Sequence, residues 1–367
     1  MKNIAIVDPA SYALTYDYYF IKSLSKSYNI FFYCSKTAFN YEFIEEIKSL
    51  PNVTVLEFKV SGVNKIKGIY NFIKLYFKLF LNRKSYSSIN IQWSVIPLIE
   101  FFFFLSFRGK LIFTMHNSVP HNSKRKTTLF NKFASKISQY NVFVSEYTKG
   151  VFEKNYSFKS CRNIVFQHGA MPLTLKRINS TVSSEILSTQ TNLREVSNMK
   201  LIFWGNIKHY KGVDFLVDNI DSLSQNDLDL EVYGKYDHKL KYLHNQILNS
   251  GHRSVNDYLP LDYVESILNQ DNSLVILPYR NSSQSGIMYN CISIGKPFIC
   301  SNVGESAFFL KSNNLSNLVF EFDNLSSLID AIKYFQTNRE MVESKFNDFK
   351  NSYSWEYDTK TVKYVFG

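Results

Sequence analysis

Short apolar runs alternate with longer amphipathic stretches along most of the chain, which predicts strands alternating with helices. The first run, ending at Val7, is apolar at consecutive positions, as in a parallel strand buried on both faces. Further strands are predicted at 30–34, 53–56, 89–91, 111–114, 141–144, 164–166, 200–204, 230–234, 274–277 and 298–300. Helices are predicted near 18–24, 40–49, 64–83, 95–107, 126–138, 146–154, 213–223, 262–269, 286–294, 324–336, 339–350 and in the tail 353–366. Such regular alternation predicts an α/β protein with doubly wound parallel sheets.

The alternation divides the chain into two Rossmann-like domains. It stops in a stretch rich in Ser, Thr, Asn and Glu, and it restarts at Lys200. A chain of 367 residues also has the length of two ordinary domains. We therefore predict a first domain at 1–172, a polar linker or insertion at 173–198, a second domain at 199–350, and a C-terminal helix at 351–367 that packs back toward the first domain.

Composition narrows the possible partners. A formal net charge of +11 fits a nucleic acid, an anionic membrane surface or an anionic substrate. The four cysteines are widely spaced without a Cys-x-x-Cys pair, so we expect reduced core thiols and no zinc site. The longest apolar run, at 101–105, is far shorter than the ~20 residues of a membrane span. The N-terminus reads as a strand rather than a signal peptide, so we expect a cytoplasmic protein.

The segment 277–304 has the pattern of a phosphate site. A buried strand leads into a small polar loop ending in Gln284-Ser285-Gly286, and a helix follows. Free backbone N–H groups at the start of such a helix favour a phosphate. A second loop, Gly205 to Gly212, carries Lys208 and Lys211 before a helix, and its two point charges suit a pyrophosphate. Its spacing is not that of a Walker motif.

Candidate chemistry in the first domain follows its strands. His116, Asn117 and His121 come at and after the end of the fifth strand, where open α/β sheets bind ligands. No third ligand is nearby, so zinc is not expected. After the first strand, the loop from Asp8 to Asp17 is rich in Tyr and lacks the Gly-x-Gly-x-x-Gly fingerprint of dinucleotide sites.

Residues 62–84 carry six basic residues and no acid. Lys67, Lys74 and Lys78 share one helical face. Two compatible interpretations remain: a sheet-covering helix with a solvated basic face, or a helix that docks on anionic lipid headgroups.

Four of these motifs, taken in order, resemble the GT-B glycosyltransferases, and more closely their family 4 type, over nearly the whole chain. The loop at 205–212 is similar to the family's Gly-Arg-x-x-x-x-Lys-Gly loop, with Lys211 on the family's Lys. Asn206 falls on the family's Arg, and Lys208 would supply that charge. The segment at 282–290 is similar to the family's Glu-x₇-Glu segment.

This chain departs from the family at both of those glutamates, because Ser282 and Asn290 stand in their places. The Gln-Ser-Gly variant, the His-Asn-x-x-Pro-His motif ending at His121, and Asp8 with its Tyr-rich loop resemble a branch from bacterial surface-polysaccharide pathways, such as capsule or O-antigen synthesis.

The resemblance implies a GT-B fold with two domains facing a central cleft. It implies a nucleotide-diphosphate sugar donor (UDP or GDP), a lipid-linked or oligosaccharide acceptor, retention of configuration, and neither cofactor nor metal. His116 would contact the transferred sugar, and His121 or Asp17 would act as base or orient the acceptor. The implied donor-binding residues are Gly205, Asn206, Lys208, Lys211, Tyr233, Gly234, Gln284, Ser285, Gly286 and Asn290.

Two alternatives remain open. A nucleotide-sugar epimerase of GT-B shape would need an acid and a base in the cleft, where Asp8, Asp17 and Glu305 are the carboxylates on offer. A non-catalytic protein binding nucleic acid or polysaccharide would explain the charge, but no helix-turn-helix, RNP or zinc-finger signature accompanies it. We therefore predict an enzyme at the inner membrane face, in contact with anionic lipid through Lys67, Lys74 and Lys78, with no nucleic-acid partner.

Overall fold

A computed structural model describes residues 1–37, 40–118, 125–172 and 198–367. Contacts divide the chain into two units. Unit 1 comprises Met1–Gly169 and Ser354–Gly367, and unit 2 comprises Ala170–Tyr353. Each unit is built on one parallel sheet with helices, so the predicted pair of Rossmann-like domains is confirmed.

Unit 1 contains a seven-stranded parallel sheet. Its strands are β1 (Asn3–Asp8), β2 (Asn29–Ser35), β3 (Val53–Phe58), β4 (Ser88–Ile91), β5 (Leu111–Met115), β6 (Tyr140–Phe143) and β7 (Asn163–Val165). They lie in the order β3-β2-β1-β4-β5-β6-β7, and Ile4 to Val7 are fully buried, as the apolar run predicts. Because chain order reverses between β1 and β4, the ends of these two strands form the switch point of the sheet.

The helices of unit 1 cover this sheet. They are α1 (Leu14–Leu24), α2 (Tyr41–Lys48), α3 (Lys65–Asn82), α4 (Pro97–Ser106), α5 (Arg125–Ile137) and α6 (Glu146–Tyr156). The side chain of Asn64 caps α3 by accepting from the Lys67 amide, and Ser145 caps α6 in the same way through the Thr148 amide. Tyr76 of α3 and Phe104 of α4 belong to the same buried cluster, so the two helices pack on one side of the sheet.

Unit 2 repeats the architecture with six strands. They are β8 (Met199–Trp204), β9 (Leu228–Tyr233), β10 (Arg253–Val255), β11 (Ser273–Leu277), β12 (Phe298–Ser301) and β13 (Val319–Phe320). Their order, β10-β9-β8-β11-β12-β13, places a second switch point between β8 and β11.

Helices pack on the sheet of unit 2 as well. The described ones are α7 (Val213–Asp218), α8 (Ile220–Gln225), α9 (Lys241–Asn249), α10 (Leu261–Leu268), α11 (Gly286–Ile294), α12 (Gly304–Ser312), α13 (Leu325–Thr337) and α14 (Arg339–Ser352). Two of them begin at the edge of the sheet where the candidate site lies. Helix α15 (Thr359–Phe366) closes the chain and belongs to unit 1.

Three local expectations differ from the structure. The helix predicted at 213–223 is broken at Asn219, whose side-chain amide donates to the Phe215 carbonyl at 2.8 Å and so competes with the helix backbone. The helical tail begins only at Thr359, after Asp358 accepts from the Thr361 amide. Helices α9 and α12 and strands β10 and β13 were not predicted.

The cysteines are free thiols, as expected, but Cys161 is exposed rather than in the core. Within the described ranges, no helix combines the length and the apolar composition needed to cross a bilayer.

Candidate functional site

The loop after β8 in unit 2 lies against the loop after β11 at the switch point. Its last residue, Gly212, has a φ of +68°, and a Cβ there would lie 1.8 Å from the Pro278 carbonyl oxygen. Ile207 is buried and anchors the middle of the loop, while Asn206 and Lys208 are exposed. Glycine at 212 therefore permits the close approach of the two loops.

A chain of polar contacts joins the two loops. The Lys211 ammonium donates to the Tyr279 hydroxyl at 3.0 Å and lies 4.3 Å from the centre of that ring. The Tyr279 hydroxyl in turn hydrogen-bonds the Ser285 hydroxyl at 3.1 Å. Burial lowers the pKa of Lys211, and nearby Lys208 lowers it further, whereas no carboxylate contributes to its environment in the described part of the chain. A partly buried ammonium with neutral partners is ready to accept an anion.

Arg280 holds these loops together, a role that was not foreseen. Its guanidinium donates to the Asp214 carboxylate at 2.5 Å and to the His209 carbonyl at 3.0 Å. Its backbone amide donates to the Tyr210 carbonyl at 2.9 Å. The charge of Arg280 is thus paired with a carboxylate of the protein, while Lys211 donates to the neutral hydroxyl of Tyr279.

Helix α11 begins beside Lys211. Its N-cap is Ser285, whose hydroxyl bonds Tyr279 and makes no capping bond to the helix. Gly286 is exposed at the first helical position, next to the partly buried Gln284. The amides of this first turn lie at the positive end of the helix dipole.

Asn290 makes a contact that bears on its predicted ribose role. Its side-chain amide donates to the Met171 carbonyl at 2.7 Å, so this group holds the segment at 170–172. Ser282 is buried, with its carbonyl oxygen 2.5 Å from where a Cβ on Gly304 would lie. A buried carboxylate lies near the loop that precedes α11: Glu305 accepts a hydrogen bond from the Tyr289 hydroxyl at 2.8 Å.

The two residues at the end of β9 that were predicted to bind the donor are buried. The ring of Tyr233 is fully buried and its hydroxyl donates to Glu231 at 2.6 Å. Gly234 is also buried, since a Cβ there would lie 2.1 Å from the Gly205 carbonyl oxygen. The partly exposed side chain at this edge is that of Lys235.

The switch point of unit 1 carries a pair of buried carboxyls. Asp8, at the end of β1, accepts from the Ala13 amide at 2.9 Å. Asp17, on α1, is fully buried, and neither of its oxygens has a hydrogen-bond donor among the residues described. Burial raises the pKa of Asp17 well above its usual value, and the neighbouring Asp8 raises it further. Burial thus favours the uncharged form of Asp17, and its predicted role as base stays a prediction.

His116 lies at the end of a polar chain on the same sheet edge. The Asn90 amide donates to the Thr114 hydroxyl at 2.9 Å, and the Gln92 amide donates to the Asn90 oxygen at 2.5 Å. The Gln92 oxygen therefore faces His116 Nε2, 3.2 Å away, and this nitrogen carries the proton. Burial, aided by His168, lowers the pKa of His116 to about 3, so the ring is neutral with Nδ1 as an acceptor.

Aromatic rings and a second histidine surround His116. Tyr16 contacts it edge-on with ring centres 4.7 Å apart, and the ring centre of Trp93 is 5.4 Å away. His168 follows β7 and donates from Nδ1 to the Gly169 carbonyl at 2.7 Å. Trp355, from the C-terminal segment, packs on His168 at 4.7 Å. His121 lies outside the described residues.

A cavity of about 990 Å³ opens beside this edge of unit 1. Its lining combines apolar surface with polar side chains, among which Lys36 and Glu57 form an ion pair at 3.8 Å. Tyr41 presents an exposed ring to it. On α3, Lys67, Lys74 and Lys78 are all exposed.

Residues 188–348, which include both loops of unit 2, match the family model described as glycosyl transferases group 1. This part of the chain is therefore similar to the group 1 glycosyltransferases. A search of curated proteins found no significant match.

Solved structures with the same fold are GT-B glycosyltransferases. Anabaena HepE in complex with UDP and glucose superimposes with a TM-score of 0.69 at 14% identity, over 99% of this chain and 98% of that one. Sucrose-phosphate synthase from Thermosynechococcus elongatus gives 0.70 at 10% identity, over 99% and 97%. WaaG, a glycosyltransferase involved in lipopolysaccharide biosynthesis, gives 0.62 at 12% identity, over 99% of both chains. The predicted GT-B fold is thereby confirmed.

Proposed function

We propose that this protein transfers a sugar from a nucleotide-diphosphate sugar to a saccharide acceptor. The observation that carries the proposal is the contact chain from Lys211 through Tyr279 to Ser285 at the start of α11. It sets one ammonium and a set of helix amides at the same edge of the glycosyltransferase domain. A diphosphate needs both, because its negative charge grows as the glycosidic bond breaks.

The donor would be held as follows. Lys208 and Lys211 neutralise the diphosphate, and the amides of Ser285 and Gly286 donate to its oxygens. The lysines and amides supply the positive charge that a metal would otherwise bring, so the proposed reaction needs no metal. HepE binds UDP, which supports UDP as the first nucleotide to test, with GDP second.

We assign the transferred sugar to the His116 edge. A neutral imidazole whose Nδ1 accepts is suited to a sugar hydroxyl. Since Asn290 already bonds Met171, we expect it to shape the loop rather than grip the ribose. Asp17 positions Asp8 and does not serve as base. The family 4 type and retention of configuration stay proposals that rest on the motif at 205–212.

The acceptor is proposed to be a lipid-linked saccharide of bacterial surface polysaccharide synthesis. Three observations support it: the cavity beside Tyr41, the basic face of α3, and the fold shared with WaaG. The protein would then lie at the inner membrane surface, with Lys67, Lys74 and Lys78 toward anionic headgroups.

A donor panel tests the function. UDP- and GDP-sugars are incubated with the protein, EDTA and a membrane lipid extract, and release of nucleoside diphosphate is measured together with label in the lipid. We expect one donor to turn over only when extract is present. No turnover and no nucleoside-diphosphate binding would refute the proposal, while isomerised sugar nucleotide formed without extract would favour the epimerase.

A further inference from the structure

Helix α3 is apolar on its outer side as well as its inner side. Phe72, Leu75, Tyr76 and Leu79 face the core. The apolar residues exposed on the outer side are spaced by three or four and form one stripe along the helix. They are Ile66, Tyr70, Ile73, Phe77 and Leu81. Ile66 is 83% exposed and Leu81 is 61% exposed, which is unusual for a helix that covers a sheet.

Helix α4 adds a second apolar stripe to the same layer. Leu98, Phe102 and Leu105 are four and three residues apart, and the first two are 82% and 73% exposed. Phe103 of α4 packs on Tyr76 of α3 with ring centres 5.3 Å apart. Both helices cover one side of the sheet, so their outer stripes lie side by side.

The charge around these stripes has one sign. Residues 59–110 contain nine basic residues and a single acid, Glu100. Glu100 is buried and accepts from the Tyr76 hydroxyl at 2.9 Å and the Val95 amide at 3.1 Å. Burial raises the pKa of Glu100 to about 7. Lys67, Lys74 and Lys78 run along one flank of the α3 stripe.

We infer that the outer faces of α3 and α4 insert their apolar side chains into the headgroup–acyl boundary of an anionic bilayer. This inference deepens the membrane contact proposed above, which rested on lysines alone. Apolar residues flanked by cations are the pattern of interfacial helices, in which burial and headgroup attraction act together. A second copy of the chain fits worse, because pairing these faces would bring the exposed lysines of α3 toward those of the other copy.

Vesicle sedimentation separates the two contributions. Wild-type protein is compared with Leu98→Ser/Phe102→Ser/Leu105→Ser and with Lys67→Gln/Lys74→Gln/Lys78→Gln, on vesicles containing phosphatidylglycerol or phosphatidylcholine alone, at 0.1 and 0.5 M NaCl. A matched control, Tyr242→Ser/Tyr258→Ser, removes two exposed aromatic residues of unit 2. Because both triple variants change exposed side chains, circular dichroism should show unchanged folding.

We expect the apolar variant to lose about tenfold or more of its binding to anionic vesicles at both salt concentrations. The lysine variant should lose binding mainly at 0.1 M NaCl, because 0.5 M NaCl already screens the attraction between lysines and headgroups in the wild type. Phe102→Trp should be quenched by brominated acyl chains. Wild-type binding by the apolar variant, or absence of quenching, would overturn the inference. So would a wild-type dimer that the apolar variant converts to monomer.

The inference and the proposed function can fail separately. Transfer to a short, water-soluble acceptor should be the same in the apolar variant and the wild type, because these side chains are far in sequence from both phosphate loops. If no donor turns over but vesicle binding follows the expected pattern, the catalytic proposal fails and the insertion surface stands. If transfer proceeds but the apolar variant binds vesicles like the wild type, the insertion surface fails and the catalytic proposal stands.

Discussion

The switch points of the two sheets share a strand order and differ in chemistry. In unit 2 the edge between β8 and β11 carries the cations Lys208 and Lys211 and the first amides of α11. In unit 1 the edge between β1 and β4 carries Asp8, Asp17 and His116, within a set of aromatic rings. One edge therefore offers uncompensated positive charge, and the other offers polar groups enclosed by apolar surface.

Protonation widens this difference. Burial keeps His116 neutral and favours the uncharged form of Asp17. A nucleotide-diphosphate sugar has the same division within one molecule, with a charged diphosphate and a neutral sugar. The comparison teaches that a shared topology brings loops together at the same place in each sheet, while burial and loop residues decide the charge found there.

Removing the cation should have the largest effect. Lys211→Ala is expected to lower kcat/KM by about 10²–10³, the loss typical of one electrostatic contact to developing charge. Donor affinity should fall as well, because the diphosphate is charged before reaction. Kinetics and calorimetry with nucleoside diphosphate measure both. The control is Lys333→Ala on α13, and normal kinetics in Lys211→Ala would show that this loop is not the phosphate site.

Removing the neutral imidazole of His116 should lower the rate without changing the affinity for the diphosphate. His116→Ala is expected to lower kcat about 10²-fold while nucleoside-diphosphate affinity stays at the wild-type value, since a bare diphosphate has no sugar to contact. Kinetics and calorimetry with nucleoside diphosphate measure the two effects separately. A large loss of diphosphate affinity would contradict the division between the edges.

Charging the partner of His116 should create a pH dependence. In Gln92→Glu a carboxylate about 3 Å from Nε2 favours the imidazolium and raises the pKa of His116 from about 3 toward its usual range. We expect kcat to fall about tenfold from pH 8 to pH 5.5 as the ring becomes protonated. Gln92→Leu, which removes the contact without adding charge, should lack this acidic limb. Identical profiles for Gln92→Glu and wild type would refute the assigned tautomer and role.

Sequence reasoning located eleven of the thirteen described strands within about two residues, because buried parallel strands are continuous apolar runs, and it missed the short strands β10 and β13. It missed α9, where only Leu243 and Ile247 are buried and the periodic signal is weak. It placed Lys211 and Ser285 on one sheet edge, since loops after neighbouring parallel strands must meet there. It did not reveal Tyr279 as their link.

The outer stripe of α3 was hidden for a physical reason. That helix is apolar on two sides, and only packing shows which side the core covers. The chain through Asn90 and Gln92 to His116 likewise depends on side-chain orientation. Such contacts join residues from different strands, and no local pattern in the sequence records them.

The carboxyl pair of unit 1 should affect stability rather than rate, with a sign that pH reveals. Because the pKa of Asp17 is raised on folding, its contribution to stability is complete below the unfolded-state pKa and is lost as pH rises through the folded-state pKa. In Asp17→Asn the amide can donate to Asp8 at every pH. We therefore expect similar free energies of unfolding at pH 4, and an advantage for the variant that grows by about 1.4 kcal/mol per pH unit until the folded-state pKa is passed. Urea denaturation at both pH values measures this, with Asp348→Asn as the exposed control. A variant that is less stable than wild type at pH 8 would mean that Asp17 is ionised in the folded protein, and the edge of unit 1 would then be charged like its counterpart, but with the opposite sign.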